Sequence, residues 1–515
     1  MKFYVTTPIY YVNDVPHIGH SYTTIVSDVI ARWKRLNNFD VFFLTGTDEH
    51  GSKIAETARR KNKYLIDMCN EMSNKFKEAW KLLNISYTEF VRTTESRHFS
   101  SVENVAKILL KNGFIFKKKY EGLYCLECER FYSKKDLDEK GNCIFHKISP
   151  IVQSEENYFF KLSFFQNELF NRIINKNHKE HIAIYPEERR NEIIGKLKLG
   201  LDDISFSRMA VKWGINLPFD KKHTVYVWID ALINYMTGVG YMENILKFQK
   251  FWPADIHVMA KDILWFHSVI WPAILIAIKL PTPRKIFSHG FFTINGHKMS
   301  KSLNNVISPF ELVNKYGVDA TRYIIATIMP FGPDGDISMH ELSLKYNVDL
   351  ANNFGNLILR IIKMAGRYYS DFRVSCNNGT LHLAKHVSTI FKKNFSDSMD
   401  NMQFNKSSII IQSAIAFINK QIEIDVPWRL VKIDEKKFSC CINSYLQAIC
   451  IVVMHMLPFM PTISEKIWRM IGGFGNINDV AKKYFTDTII PENGFLIKNV
   501  KFNSIEILFP KIENK

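Results

Sequence analysis

The stretch from Lys2 to His20 constrains this chain more than any other. Lys2-Phe-Tyr-Val-Thr-Thr7 alternates aromatic and β-branched residues, as a buried strand does. Asn13, Asp14 and Pro16 then mark a turn. From Ser21 onward, Ile25, Val29 and Ile30 return on one helical face. A strand, a turn and a helix start aim backbone N–H groups at one spot, where an anion is stabilised. His17 and His20 sit at that spot and could donate hydrogen bonds to a phosphate, with Gly19 letting a ligand approach the backbone. Taken alone, such a histidine pair is more often plain surface.

A second stretch changes that balance. Gly296-His-Lys298-Met-Ser-Lys301-Ser302 lies far downstream. His-Ile-Gly-His near an N-terminus followed at this distance by Lys-Met-Ser-Lys-Ser resembles the paired signatures of class I aminoacyl-tRNA synthetases. The strand Val41-Phe-Phe-Leu-Thr45 runs into Gly46-Thr-Asp-Glu-His-Gly51, and a polar cluster at a strand's carboxyl end is how open α/β sheets build a crevice. Asp48 in that crevice could hold an ammonium or equally cap the next helix. Gly290 to Lys298 is not a P-loop, because the glycine spacing is one residue too long and His297 stands where the lysine belongs.

The 515 residues allow two to four domains. Apolar residues at 46% and charged residues at 23% fit a soluble globular protein. A formal charge of +17 favours a polyanionic partner such as nucleic acid, although Lys- and Asn-rich coding bias raises charge by itself. No leader precedes the first strand, and the apolar run Ile263 to Ile278 is interrupted by His267 and Pro272, so it is expected as a core helix in a cytoplasmic protein without a membrane.

Between 115 and 225 the chain changes character. Cys125-Leu-Glu-Cys128 and Cys143-Ile-Phe-His146 supply three thiolates and an imidazole, the donor set of a closed, structural tetrahedral zinc site. His223-Thr-Val-Tyr-Val-Trp228-Ile-Asp-Ala231 alternates as a strand and is followed by a helix from Leu232. In Lys261-Asp-Ile263-Leu-Trp-Phe-His267, Ile263 and His267 are one helical turn apart. Trp228, Tyr235 and His267 read by themselves as satisfied core residues.

These segments, with Thr6-Thr-Pro-Ile-Tyr-Tyr-Val-Asn13, resemble the methionyl-tRNA synthetases of the shorter bacterial and organellar kind with one zinc knuckle. The resemblance covers essentially the whole chain. It implies a Rossmann-type parallel sheet over 1–114 and 226–290, split by a zinc-bearing connective insertion over 115–225. A loop and stem-contact region over 291–345 and an α-helical anticodon-binding bundle over 346–515 would follow. It implies that His17, Gly19, His20, Lys298 and Lys301 handle ATP, with magnesium, and that His17, His20, Lys298 and Lys301 are catalytic. Methionine would be lined by Ile9, Tyr11, Trp228, Ala231, Tyr235, Ile263 and His267, its ammonium on Asp48; a flexible thioether suits such a wall. Asn352, Asn356, Arg360, Pro427 and Trp428 would read the anticodon of initiator and elongator tRNA(Met), though alone they read as a solvated face and a core tryptophan. The chain ends without an appended oligonucleotide-binding domain, so a monomer is expected. Ala260 and Asn304 stand where the family usually has glycine. A cysteine-activating class I enzyme and a non-catalytic tRNA-binding paralogue are the rivals. The former should carry zinc in its catalytic crevice, and the latter should lack a signature histidine or lysine.

Overall fold

The computed structural model describes all of the chain except residues 126–129, 133–136, 145–146, 295, 299–305, 369–370, 373–380, 488–489, 492–493, 496, 498–499, 502–505 and 514–515, and the side chains of 120–121, 130–131, 153–155, 297–298, 371–372 and 500–501. Its centre is a six-stranded parallel sheet of β1 (Lys2–Tyr11), β2 (Asp40–Asp48), β3 (Glu89–Arg92), β4 (Ala183–Tyr185), β5 (Ile256–Ala260) and β6 (Lys285–His289). The strands lie in the order β3-β2-β1-β5-β6-β4. β1 pairs with β2 on one side and with β5 on the other, so strand order reverses at β1. In open α/β sheets that reversal opens a crevice at the strands' carboxyl ends. The register of β1 against β2 shifts between Thr6 and Ile9. Pro8 sits in this bulge and has no N–H to lose from the ladder.

Helix α1 (Ile18–Leu36) follows β1 and buries Ile25, Val26, Val29 and Ile30 against the sheet. The expected strand over 223–231 is shorter than its alternation promises. Asp220–Val225 forms a strand in a small antiparallel sheet, and helix α2 (Val227–Thr237) begins two residues later. Alternation cannot separate a strand from a helix buried on nearly every side, and α2 is such a helix. The 115–225 span holds a long antiparallel hairpin, Ile115–Cys125 against Ile151–Phe160. It also returns β4 to the edge of the central sheet, beside β6.

Beyond Met339 the described chain is almost entirely helical. One helix, Glu435–Met456, is long and apolar enough to cross a membrane, but its residues Ala448 to Met454 are fully buried against the neighbouring helices His382–Asp400 and Phe404–Asp425.

Candidate active site

A crevice of about 400 Å³ lies at the carboxyl ends of β1, β2, β5 and β6, between the start of α1 and one face of α2. The bulge in β1 turns Pro8, Ile9, Tyr10 and Tyr11 all towards its lining. Asp48 at the end of β2 is 6% exposed and accepts the Val12 amide at its carbonyl (3.2 Å).

His17 caps α1. Its Nδ1 accepts the Gly19 amide at 3.1 Å, and His20 Nδ1 accepts the His17 amide at 3.3 Å. The rings stack 3.8 Å apart. Burial holds both imidazoles below their usual range, His20 furthest because it is the more deeply buried, with the adjoining His17 adding to the shift. With Nδ1 accepting, the single proton of each neutral ring sits on Nε2. The Ile18 amide is also taken, by the Ile307 carbonyl at 2.9 Å. The backbone amides expected to face an anion are therefore engaged in capping, and the donors this turn offers are the two Nε2–H groups. Gly19 lines the crevice and also leaves room for the ring, since a Cβ there would meet His17 Cε1 at 2.9 Å. Tyr10 braces the pair, stacking on Phe76 and sharing a hydrogen bond with Thr24 Oγ1 at 2.7 Å.

The opposite wall is aromatic. Trp228, Ala231 and Tyr235 share one face of α2, and Trp228 stacks on Phe266 at 4.3 Å. His267 donates from Nδ1 to the Ile263 carbonyl (2.9 Å), so its Nε2 accepts the Tyr235 hydroxyl at 2.7 Å. Burial lowers the His267 pKa to about 4, against the pull of that carbonyl, and the ring is neutral. His257 behind it takes Trp271 N–H on Nε2 (3.3 Å) and therefore donates from Nδ1 to Thr6 Oγ1 (2.7 Å). The chain winds more widely from Phe266 to Ile270, a feature common where helices carry sites. This wall is uncharged, soft and rigid.

Along the ends of β5 and β6, Ala260 ends β5 with φ −80° and ψ 159°, a backbone any residue adopts, and it lines the crevice. His289 at the end of β6 contacts Thr23 Oγ1 at 2.7 Å. Gly290 is required sterically, since a Cβ would lie 2.3 Å from the Asp334 amide nitrogen. Asp334 accepts the Phe291 amide (2.8 Å) and pairs with Lys261 (2.5 Å). Asp336 accepts from Thr293 Oγ1 and the Gly296 amide at 2.6 and 2.8 Å, pinning the hairpin Phe292–Ile294 to His297–Lys298. The side chain of Lys298, Lys301 and Asn304 lie outside the described residues.

The family model for tRNA synthetases class I (M) matches residues 3–143 and 134–362. A methionine–tRNA ligase of Caldanaerobacter subterraneus subsp. tengcongensis is 40% identical over 99% of this chain and 79% of its own length. One from Streptomyces coelicolor is 36% identical over 100% of this chain and 97% of its own. The structure of Mycobacterium tuberculosis methionyl-tRNA synthetase with methionyl-adenylate superposes with a TM-score of 0.91 at 32% identity, covering 99% of this chain and 100% of that one. The chain belongs to the methionine–tRNA ligases. With the free form of the M. tuberculosis enzyme the TM-score is 0.84.

In this methionine–tRNA ligase, Cys125 and Cys143 are fully buried in one cluster with Tyr132 and Leu137, well suited to a closed thiolate-rich site. Cys128 and His146 lie outside the described residues, and among the described residues no three metal-binding side chains converge. Asn352 and Asn356 are exposed, and Arg360 lies 5.5 Å over the ring of Trp428. Trp428 is 43% exposed, directly after the buried Pro427, and is no core residue. Sequence reasoning missed Phe266, His257 and His289. Phe266 was hidden in an apolar run, and the two histidines carry no motif, one near the start of β5 and the other at the end of β6.

Proposed function

We propose that the crevice joins methionine to ATP and passes the methionyl group to the terminal ribose of tRNA(Met), working as a cytoplasmic monomer. One observation carries this reading: a carboxylate, Asp48, faces a neutral aromatic wall across the same crevice that holds the histidine pair. Asp48 takes the α-ammonium. Ile9, Tyr11, Trp228, Ala231, Tyr235, Ile263 and His267 enclose the thioether, whose polarisable sulfur is favoured by aromatic edges. A methionine carboxylate oxygen attacks the α-phosphorus of ATP in line, the bond to the bridging oxygen breaks, and pyrophosphate leaves. No side chain is needed as nucleophile, so the protein supplies positioning and stabilises spreading negative charge. The Nε2–H groups of His17 and His20 donate to the phosphates, and Lys298 and Lys301 add positive charge. Magnesium arrives with ATP as part of the substrate and shares that charge.

A structural zinc belongs on Cys125, Cys128, Cys143 and His146, where it would fasten the hairpin tip. Its binding energy would be folding energy. Asn352, Asn356 and Arg360 would bond to base edges of the anticodon, and Trp428 would stack on an unpaired base. Pyrophosphate exchange dependent on methionine, with cysteine and leucine as comparisons, tests the activity. Exchange driven by cysteine in preference to methionine, or by none of the three, rejects it.

A further inference from the structure

We infer that Asp230 is a positioning residue: it fixes the distance between the Asp48 carboxylate and the thioether wall, and so sets the length of side chain that the pocket accepts. This rests on the proposed methionine site. Asp230 is fully buried on α2, between Trp228 and Ala231 in sequence, and is not part of the crevice lining. Its Oδ2 is 2.7 Å from His50 Nδ1 and its Oδ1 is 2.7 Å from His98 Nε2. His98 Nδ1 is bonded in turn to Thr237 Oγ1 at 3.0 Å, one α2 face below Asp230. Burial opposes ionisation of Asp230, yet the two facing rings outweigh it and hold the carboxyl at about 2.

Each end of this strut meets one side of the pocket. His50 is two residues beyond Asp48, on the loop leaving β2, and its amide approaches Asp48 Oδ1 at 3.4 Å. That loop is clamped by Trp213, whose N–H reaches the Glu49 carbonyl at 2.5 Å and whose own carbonyl accepts the Gly51 amide at 3.0 Å. Asp230 belongs to the same rigid helix as Trp228, Ala231 and Tyr235. His98 ties both to the helix Ser96–Lys111. A carboxylate bridging two imidazoles therefore joins the ammonium side of the crevice to its side-chain side. Removing it leaves two buried N–H donors without an acceptor, and the gap between the two sides is free to widen.

The test compares methionine with its S-ethyl homologue in pyrophosphate exchange. Asp230→Ala should raise KM for methionine about tenfold with KM for ATP unchanged, and should shrink the preference for methionine over the S-ethyl homologue several-fold. Asp230→Asn should restore both to within about threefold: its amide can donate to His98 Nε2 if that ring shifts its proton to Nδ1 and donates to Thr237. Wild-type preference and KM in Asp230→Ala, or equal losses in both KM values, overturn the role. If Asp230→Ala does not fold, Thr237→Val removes only the outer anchor of His98. It should shift the same two ratios by about twofold, and unchanged ratios overturn the role equally. Wild-type enzyme failing to exchange with methionine would instead reject the activity itself.

Discussion

At the scale of single residues, the proposed chemistry depends on imidazoles kept neutral. His17 and His20 are lowered from 6.5 by burial, so their Nε2–H groups remain donors without charge as pH falls through 6.5. The acid limb of kcat/KM for pyrophosphate exchange should therefore lie below pH 6.5; a limb at 7 or above traced to either histidine contradicts this assignment. His20→Ala should lower kcat by about two to three decades, roughly 2–4 kcal/mol, with methionine KM little changed. The same burial affects stability. His267 and His289 are lowered to about 4 and His455 to about 3, so protons bind the unfolded chain first. Their contribution is fully present above pH 6.5 and is lost as pH falls through the folded values. Denaturant unfolding followed from pH 7 to 4 should show a monotonic loss, and His455→Phe should flatten it.

At the scale of elements, the zinc proposed for the hairpin offers the sharpest test. If zinc sits there, Cys143→Ser, at a fully buried cysteine, should release the metal from purified protein and lower the melting temperature, because the binding energy of a structural zinc is folding energy. Elemental analysis of wild-type protein finding no zinc, or two per chain, would remove the site. How far elements were legible depended on whether a local signal matched a global need. The β1–turn–α1 unit was legible because turn residues, periodicity and histidine spacing all agreed. Its bulge at Pro8 was not, since register is decided by the partner strand. Trp228 to Ala231 alternate like a strand but form the first turn of α2, because burial on both sides erases the helical stripe. β4 was missed altogether: three residues give no period, and only pairing with β6 defines them. The pocket lining was foreseeable by resemblance to a family. Asp230, His50 and His98 were not, since a buried polar network leaves no pattern in one sequence.

At the scale of the whole molecule, two connections matter. The first is Arg322, fully buried on the helix Val318–Thr327. It pairs with Asp28 of α1 at 2.7 Å and donates to the carbonyls of Leu83, Pro458 and Phe459 at 3.0–3.1 Å. It thus joins the helix that starts with the histidine pair to the C-terminal helices. Arg322→Leu takes one of two guanidinium partners from Asp28, which keeps Arg32 and Ser86, and removes the donor to three carbonyls. It should cost about 2–4 kcal/mol of unfolding free energy, whereas a loss under 1 kcal/mol would deny it this role.

The second connection is between the remote bundle and the crevice, and it separates tRNA reading from amino-acid chemistry. Trp428 is 43% exposed beneath the Arg360 guanidinium, while the crevice is built from the central sheet, α1 and α2. Trp428→Ala should leave methionine-dependent pyrophosphate exchange near wild type, because no tRNA takes part in that step. Aminoacylation kcat/KM for tRNA(Met) should fall by the worth of one stacked base, roughly 1–3 kcal/mol. A tRNA whose CAU anticodon is altered should already be a poor substrate, and the substitution should cost less there, since the two changes remove one shared contact. A core tryptophan would behave otherwise, lowering the melting temperature and both steps together. Equal loss in exchange and aminoacylation would therefore return Trp428 to a structural role, and leave the anticodon to other residues of the bundle.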